Sequence, residues 1–143
     1  MSRPDVAAAA RAWIGTPYVH QASAWGIGTD CLGLLRGIWR ELEGREPEAV
    51  PAYTADWLEP SGEEALLEAA ARHLAPAAEA SAGDVLVFRM RTGGVAKHLG
   101  VQAEVGPGAS FVHAYSGHGV LESPLSAPWA RRIAGRFAFP ARG

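Results

Sequence analysis

The spacing of apolar residues changes near the middle of the chain, and this change constrains the fold more than any other feature. In the first half, apolar residues recur at helical intervals, and the predicted helices cover residues 4–14, 30–43 and 61–76. In the second half they form continuous or alternating runs, and the predicted strands cover residues 84–90, 97–105, 110–115, 120–122 and 132–139. Helices followed by strands indicate an α+β fold, with N-terminal helices packed on a mostly antiparallel sheet of about five or six strands.

The length and the net charge of the chain limit the number of domains and the classes of partner to expect. Its 143 residues form a single predicted domain, residues 1–143, which can bury about two-thirds of its unfolded surface. A net charge of −2, without a basic stripe, argues against a nucleic-acid partner. No apolar run approaches the about 18 residues of a membrane span, so we expect no membrane partner. The first residues lack the pattern of a signal peptide, so we expect synthesis in the cytoplasm.

Cys31 is the only cysteine in the chain, which excludes an intrachain disulfide and a site of the CxxC type. On composition alone, a single cysteine is more often a small buried hydrophobe. Cys31, however, follows the predicted helix N-cap, which is Asp30 or Thr29, and this places it in the first turn of a helix. Unpaired N–H groups and the positive end of the helix dipole favour the thiolate there. We therefore interpret Cys31 as a candidate nucleophile of a cysteine hydrolase.

Two of the five histidines are candidate partners for this thiol. His98 begins an alternating strand, on the face opposite its apolar residues, and His113 lies on the next strand. A nucleophile needs a base, and the base needs a group that orients it. His73 falls in a predicted helix and is interpreted as a solvated or core histidine.

The hairpin between the two strands sets a geometric condition. A turn centred on Pro107 would place His98 opposite Ser116 and would put His113 on the wrong face of the sheet. A shift of one residue places His98 opposite Tyr115, with His113 as its diagonal neighbour. We therefore predict a bulge or an irregular turn that shifts the register by one.

The chain also contains five short sequence motifs whose order and spacing are informative. They are residues 15–18 (GTPY), 28–34 (GTDCLGL), 83–88 (GDVLVF), 97–101 (KHLGV) and 111–114 (FVHA). Together they resemble the NlpC/P60 cysteine peptidases over nearly the whole chain. Within that family the chain most resembles the short peptidases encoded among tail genes of phages and gene transfer agents. Residues 129–135 (WARRIAG) support this subgroup.

The resemblance implies a papain-like fold and a set of roles. Cys31 would be the nucleophile, His98 the general base, His113 the third, orienting residue and Tyr18 a contributor to the oxyanion site, with no cofactor and no metal. Leu32 stands where the family commonly has serine. The implied activity is an endopeptidase that cuts γ-D-glutamyl to diamino-acid links in peptidoglycan stem peptides.

Other interpretations stay open. The same scaffold could carry a different thiol hydrolase, such as an N-acyl amidase, or a structural tail-tip component with a silent site. A zinc site formed by Cys31, His98 and His113 is a further alternative.

The resemblance also implies a place of action and partners. We expect a protein made in the bacterial cytoplasm and carried on a phage-like tail to the target cell wall, docked to tail hub or tail-tip proteins. Trp57 and Trp129 are candidate exposed aromatics for that interface, because tryptophan is enriched at binding hot spots. Each could instead cover the core beneath a long loop.

Overall fold

The computed structural model describes residues 2–46, 65–91, 93–94 and 96–140. Its helices and strands, in chain order, are α1 (Pro4–Arg11), β1 (Ser23–Ala24), β2 (Gly28–Thr29), α2 (Cys31–Glu43), α3 (Ala65–His73), β3 (Ala75–Pro76), β4 (Val85–Arg89), β5 (Ala96–Glu104), β6 (Ser110–Tyr115), β7 (Gly119–Pro124), α4 (Ala127–Ala130) and β8 (Ile133–Ala138). The predicted start of the third helix at residue 61 and the tryptophan at position 57 lie outside the described residues. No helix within the described ranges is long and apolar enough to cross a membrane.

Six strands form one antiparallel sheet in the order β3-β8-β4-β5-β6-β7. This arrangement, with helices before the strands, confirms the predicted α+β fold and its mostly antiparallel sheet. The sequence pattern did not reveal the short strand β3, the short helix α4 or the separate two-stranded hairpin of β1 and β2. Strands of two residues are too short to show an alternating pattern.

Both faces of the sheet are covered by apolar side chains. On one face, helices α1 and α2 contribute Val6, Leu34 and Ile38 to the main core, where they pack with residues of β4, β5 and β6. On the other face, a smaller cluster contains Leu86, Phe88 and Phe111, partly covered by residues that include Trp129. The predicted polar face of β5 is also buried at His98, Gly100 and Gln102, whereas Glu104 is exposed.

The start of α2 is fixed by a side-chain cap and by one glycine. Asp30 accepts a hydrogen bond from the N–H of Gly33 (2.7 Å) and another from the N–H of Gln21 (2.8 Å). This is the expected N-cap arrangement, and it ties the preceding loop to the helix. A Cβ atom at Gly33 would lie 1.9 Å from the carbonyl oxygen of Ala22. Only glycine at this position lets the loop pass so close to the first turn of α2.

A bulge shifts the register between β5 and β6. Glu104 pairs with Ser110, whereas Val101 pairs with Val112, so the register changes by one residue between them. The predicted shift is confirmed. Extended from the Val101–Val112 pair, this register would set His98 opposite Tyr115, and the ring centroids of these two residues are 6.0 Å apart.

Candidate active site

The sulfur of Cys31 lies against the main chain of β5. Its Sγ atom is 4.0 Å from the carbonyl oxygen of Lys97, and the main-chain N–H of Leu99 is near enough to act against the rise in the pKa of the thiol. Main-chain groups alternate in direction along a strand. Those of Gln102 bond on the β4 side, so those of Lys97 and Leu99 point toward β6. The N terminus of α2 thus meets the edge of β5 on either side of His98.

The two histidines proposed from the sequence are in direct contact. Nε2 of His98 lies 2.8 Å from Nδ1 of His113, with the ring planes at 76° to each other. Nε2 of His113 lies 2.9 Å from Oγ of Ser123 on β7. The structure therefore brings His98 and His113 together beside the backbone position that Cys31 contacts, and it adds Ser123, which sequence reasoning missed.

The imidazole pair is enclosed by aromatic rings. His98 is 7% exposed and His113 is fully buried. Phe111 lies 4.3 Å from His113 between ring centroids, and Trp129 lies 5.3 Å from His113 and 5.9 Å from His98. The ring of Trp129 is therefore half-buried over the histidines, and the expectation that it is an exposed aromatic is wrong. Its position depends on α4, which the sequence pattern did not indicate.

The electrostatics of the site favour neutral groups. Burial, reinforced by the carboxylate of Asp30, raises the pKa of the Cys31 thiol to about 12, although main-chain N–H groups of α2 and β5 oppose the rise. Burial and the neighbouring His113 lower the pKa of His98 to about 3. Burial, with His118 nearby, lowers the pKa of His113 to about 4. Burial of the sulfur therefore opposes the thiolate that the helix start favours, although the Cys31 side chain as a whole is only half-buried.

Tyr18 reaches the same region from the loop before α2. It forms an isolated parallel bridge with Thr29, two residues before Cys31, and its half-buried ring packs against the main core, as Cys31 does. Burial raises the pKa of the Tyr18 hydroxyl to about 12, and the nearby Cys31 and Asp30 add to the rise. The hydroxyl is therefore a proton donor at every pH at which the protein would work.

The other histidines lie apart from the His98–His113 contact. Nδ1 of His20 is 3.8 Å from a carboxylate oxygen of Asp30, and the ring of His118 stacks on Tyr115 at 5.2 Å. His73 meets the ring of Trp39 edge-on at 6.4 Å, which agrees with its interpretation as a structural histidine. Among the described residues, no group of three or more histidine, cysteine, aspartate or glutamate side chains is arranged to hold a metal ion.

Comparisons with known proteins agree with this architecture. The sequence model of the NlpC/P60 family matches residues 15–136. None of the curated proteins matches the chain in sequence. The solved NlpC/p60 domain of the peptidoglycan hydrolase SagA is 25% identical, with a TM-score of 0.55 over 96% of this chain and 97% of that domain.

Two longer bacterial proteins share the fold. An NLP/P60 family protein similar to lipoprotein, from Staphylococcus aureus subsp. aureus Mu50, is 20% identical with a TM-score of 0.61; the match covers 96% of this chain but 41% of that protein. An NlpC/P60 family protein from Bacillus cereus ATCC 10987 is 19% identical with a TM-score of 0.63, over 94% of this chain and 39% of that one. The chain thus spans about two-fifths of either protein.

Proposed function

The chain belongs to the NlpC/P60 family, and we propose that it is a cysteine endopeptidase that cleaves the stem peptides of bacterial peptidoglycan at the γ-D-glutamyl to diamino-acid bond. The observation that carries the proposal is the contact of the Cys31 sulfur with the backbone on either side of His98, whose ring is hydrogen-bonded to His113. The likeness to the NlpC/p60 domain of the peptidoglycan hydrolase SagA supports the choice of substrate.

The proposed reaction begins from a neutral thiol and a neutral imidazole. Nε2 of His98 is occupied by His113, so Nδ1 is the ring nitrogen left to accept the thiol proton. As that proton moves, the sulfur attacks the scissile carbonyl carbon and a tetrahedral oxyanion forms. The Tyr18 hydroxyl and the N–H groups at the start of α2 are the donors proposed to stabilise it.

Three further proton transfers complete the proposed cycle. The imidazolium of His98 gives its Nδ1 proton to the leaving amine, the C–N bond breaks, and the acyl group stays on Cys31. Water then attacks the thioester carbonyl and gives a proton to His98, the C–S bond breaks, and His98 passes that proton to the sulfur as the carboxyl product leaves. Burial of the pair means that charge separation occurs during the attack rather than before it.

A digest of purified peptidoglycan tests the proposal. The wild-type protein and Cys31→Ser are compared, and the new termini are identified by mass spectrometry. The expected result is a free γ-D-glutamyl carboxyl group and a new amine on the diamino acid, with the wild type alone. Cleavage instead between the sugar lactyl group and the first amino acid would show an N-acyl amidase on the same site.

One observation favours a second candidate function. A thiol with a pKa of about 12 is a poor nucleophile until a base approaches it, as expected for a structural tail-tip component with a silent site. Intact wall after prolonged digestion by folded wild-type protein would support this second function and reject the first.

We also propose that the protein acts while docked to hub or tip proteins of a phage-like tail, which would carry it from the bacterial cytoplasm to the target wall. The support is the resemblance of residues 129–135 to the phage-tail and gene-transfer-agent subgroup. In place of Trp129, the β1–β2 hairpin offers Trp25 and Ile27, which are 67% and 77% exposed, for such a contact. Fractionated particles should contain the protein, and its presence only as a free species in the lysate would reject docking.

A further inference from the structure

We propose that Ser123 is a positioning residue of this site: its hydroxyl accepts a hydrogen bond from Nε2–H of His113 and so holds both histidines in the tautomers that the thiol requires. The inference rests on the proposed function, since it assigns Ser123 a task in the same reaction. It concerns a residue on β7 that touches neither the thiol nor the scissile bond.

The direction of the hydrogen bonds follows from the task of His98. To accept the thiol proton, His98 must have a free electron pair on Nδ1, so its proton must be on Nε2. Nε2–H then donates to Nδ1 of His113 across 2.8 Å. His113, accepting at Nδ1, must carry its own proton on Nε2, and that N–H donates to Oγ of Ser123 across 2.9 Å.

The opposite direction disables the base. If His113 carried its proton on Nδ1, it would donate to Nε2 of His98, and the proton of His98 would then lie on Nδ1. That nitrogen would present an N–H group, rather than an electron pair, to the thiol. His98 and His113 therefore have a productive and an unproductive arrangement, which differ in where their ring protons lie, and the Ser123 hydroxyl accepts from Nε2 of His113 in the first and donates to it in the second.

Burial makes the productive arrangement depend on the Ser123 hydroxyl. His113 is fully buried among Phe111, Trp129 and its other neighbours. Without the serine oxygen, a proton on Nε2 would be a buried donor without a partner, which is costly, whereas a proton on Nδ1 could still bond to His98. Loss of the hydroxyl should therefore move His113 to the unproductive tautomer.

The sheet register explains how Ser123 comes to this place. His113 pairs with Leu121 across β6 and β7, and Phe111 pairs with Ser123. Ser123 is consequently the diagonal neighbour of His113 on the same face of the sheet. Two successive diagonal steps, from His98 to His113 and from His113 to Ser123, produce the line of hydrogen bonds.

The experiment compares two variants of nearly the same shape, Ser123→Thr and Ser123→Val, which differ in whether the branch carries a hydroxyl or a methyl group. β-Branched residues suit a strand, so both should fold, and thermal unfolding checks this. Ser110→Ala is the matched control. The Ser110 hydroxyl bonds to Glu122 on the same pair of strands, but it is not part of the hydrogen bonds that join His98, His113 and Ser123.

The primary measurement is the ¹⁵N chemical shifts of the His113 ring, which report the tautomer without any substrate. We expect the proton on Nε2 in the wild type, in Ser123→Thr and in Ser110→Ala, and on Nδ1 in Ser123→Val. The kcat on a muropeptide should fall about ten-fold or more in Ser123→Val with KM unchanged, and threonine should restore most of it.

The outcomes separate this inference from the proposed function. A wild-type tautomer and an unchanged kcat in Ser123→Val would overturn the role of Ser123 and leave the peptidase activity standing. If the folded wild-type protein cleaved no muropeptide, the proposed peptidase activity would be rejected. In that case the ring shifts would still show whether Ser123 sets the tautomer, with a switch to Nδ1–H supporting it and no switch rejecting it.

Discussion

The Sγ atom of Cys31 lies 4.0 Å from the carbonyl oxygen of Lys97, the residue immediately before His98. The proposed nucleophile is therefore located by the main chain of the strand that carries its base, rather than by a mobile side chain. The start of α2 is itself fixed by the Asp30 cap and by the preceding loop, which packs closely against Gly33. Nucleophile and base consequently share one rigid frame, which is what a reaction between closely placed groups requires.

The first prediction concerns the protonation of Cys31. Because burial raises the pKa of its thiol to about 12, the rate of alkylation by iodoacetamide should still be rising at pH 10. A free cysteine would level off above about pH 8.5. Cys31 is the only thiol, so Cys31→Ser gives the background directly. A rate that is already maximal at pH 6 would show a preformed thiolate and contradict the prediction.

The second prediction concerns the proposed nucleophile Cys31, its base His98 and the orienting residue His113. Cys31→Ala and His98→Ala should each abolish hydrolysis of the wall, and the double variant should be no worse, because nucleophile and base act as one unit. His113→Ala should lose less, since His113 orients the base and does not transfer the proton to substrate. Turnover of a soluble muropeptide measures this. Complete loss in a folded His113→Ala would mean that its role is misassigned.

The third prediction concerns Tyr18. Tyr18→Phe keeps the ring that packs beside Cys31 and removes the hydroxyl, so turnover should fall by roughly 10²–10³ if that hydroxyl donates to the oxyanion. The binding of substrate should change little. Turnover close to that of the wild type would identify Tyr18 as a packed aromatic without a catalytic part.

The fourth prediction concerns stability in mild acid. The pKa of His98 is lowered to about 3 and that of His113 to about 4, so both stay neutral in the folded chain while the unfolded chain binds protons below about pH 6.5. The unfolded state is therefore favoured as pH falls. The free energy of unfolding should decrease below pH 6.5 by up to about 1.4 kcal/mol per pH unit for each histidine.

Urea titrations between pH 7 and about 5.5 measure this loss, because carboxylates with ordinary pKa values near 4 stay almost fully ionised in that range. A folded His113→Gln variant should show a shallower dependence on pH than the wild type. If the free energy of unfolding depended equally on pH in the two proteins, the lowered pKa of His113 would be contradicted.

The sequence was sufficient for the fold class and for the identity of the interacting histidines, and it failed where the answer depends on packing. The register shift between β5 and β6 could be predicted because His98 and His113 can meet only with one parity. Ser123 could not be found, since its contact with His113 exists only once the register of β7 is known. The raised pKa of Cys31 was missed for a related reason: desolvation depends on what surrounds the helix start, and the sequence reveals only the helix start.

The position of β8 has a consequence for the synthesis of the protein. This strand follows every other described strand of the sheet in chain order, yet it lies inside the sheet between β3 and β4. Until residues 133–138 have emerged, β4 keeps an open edge, and the sheet that carries both histidines lacks an interior strand. The groups of the candidate site should therefore come into register only after residues 133–138 have been translated, so the site cannot be complete before this strand has emerged.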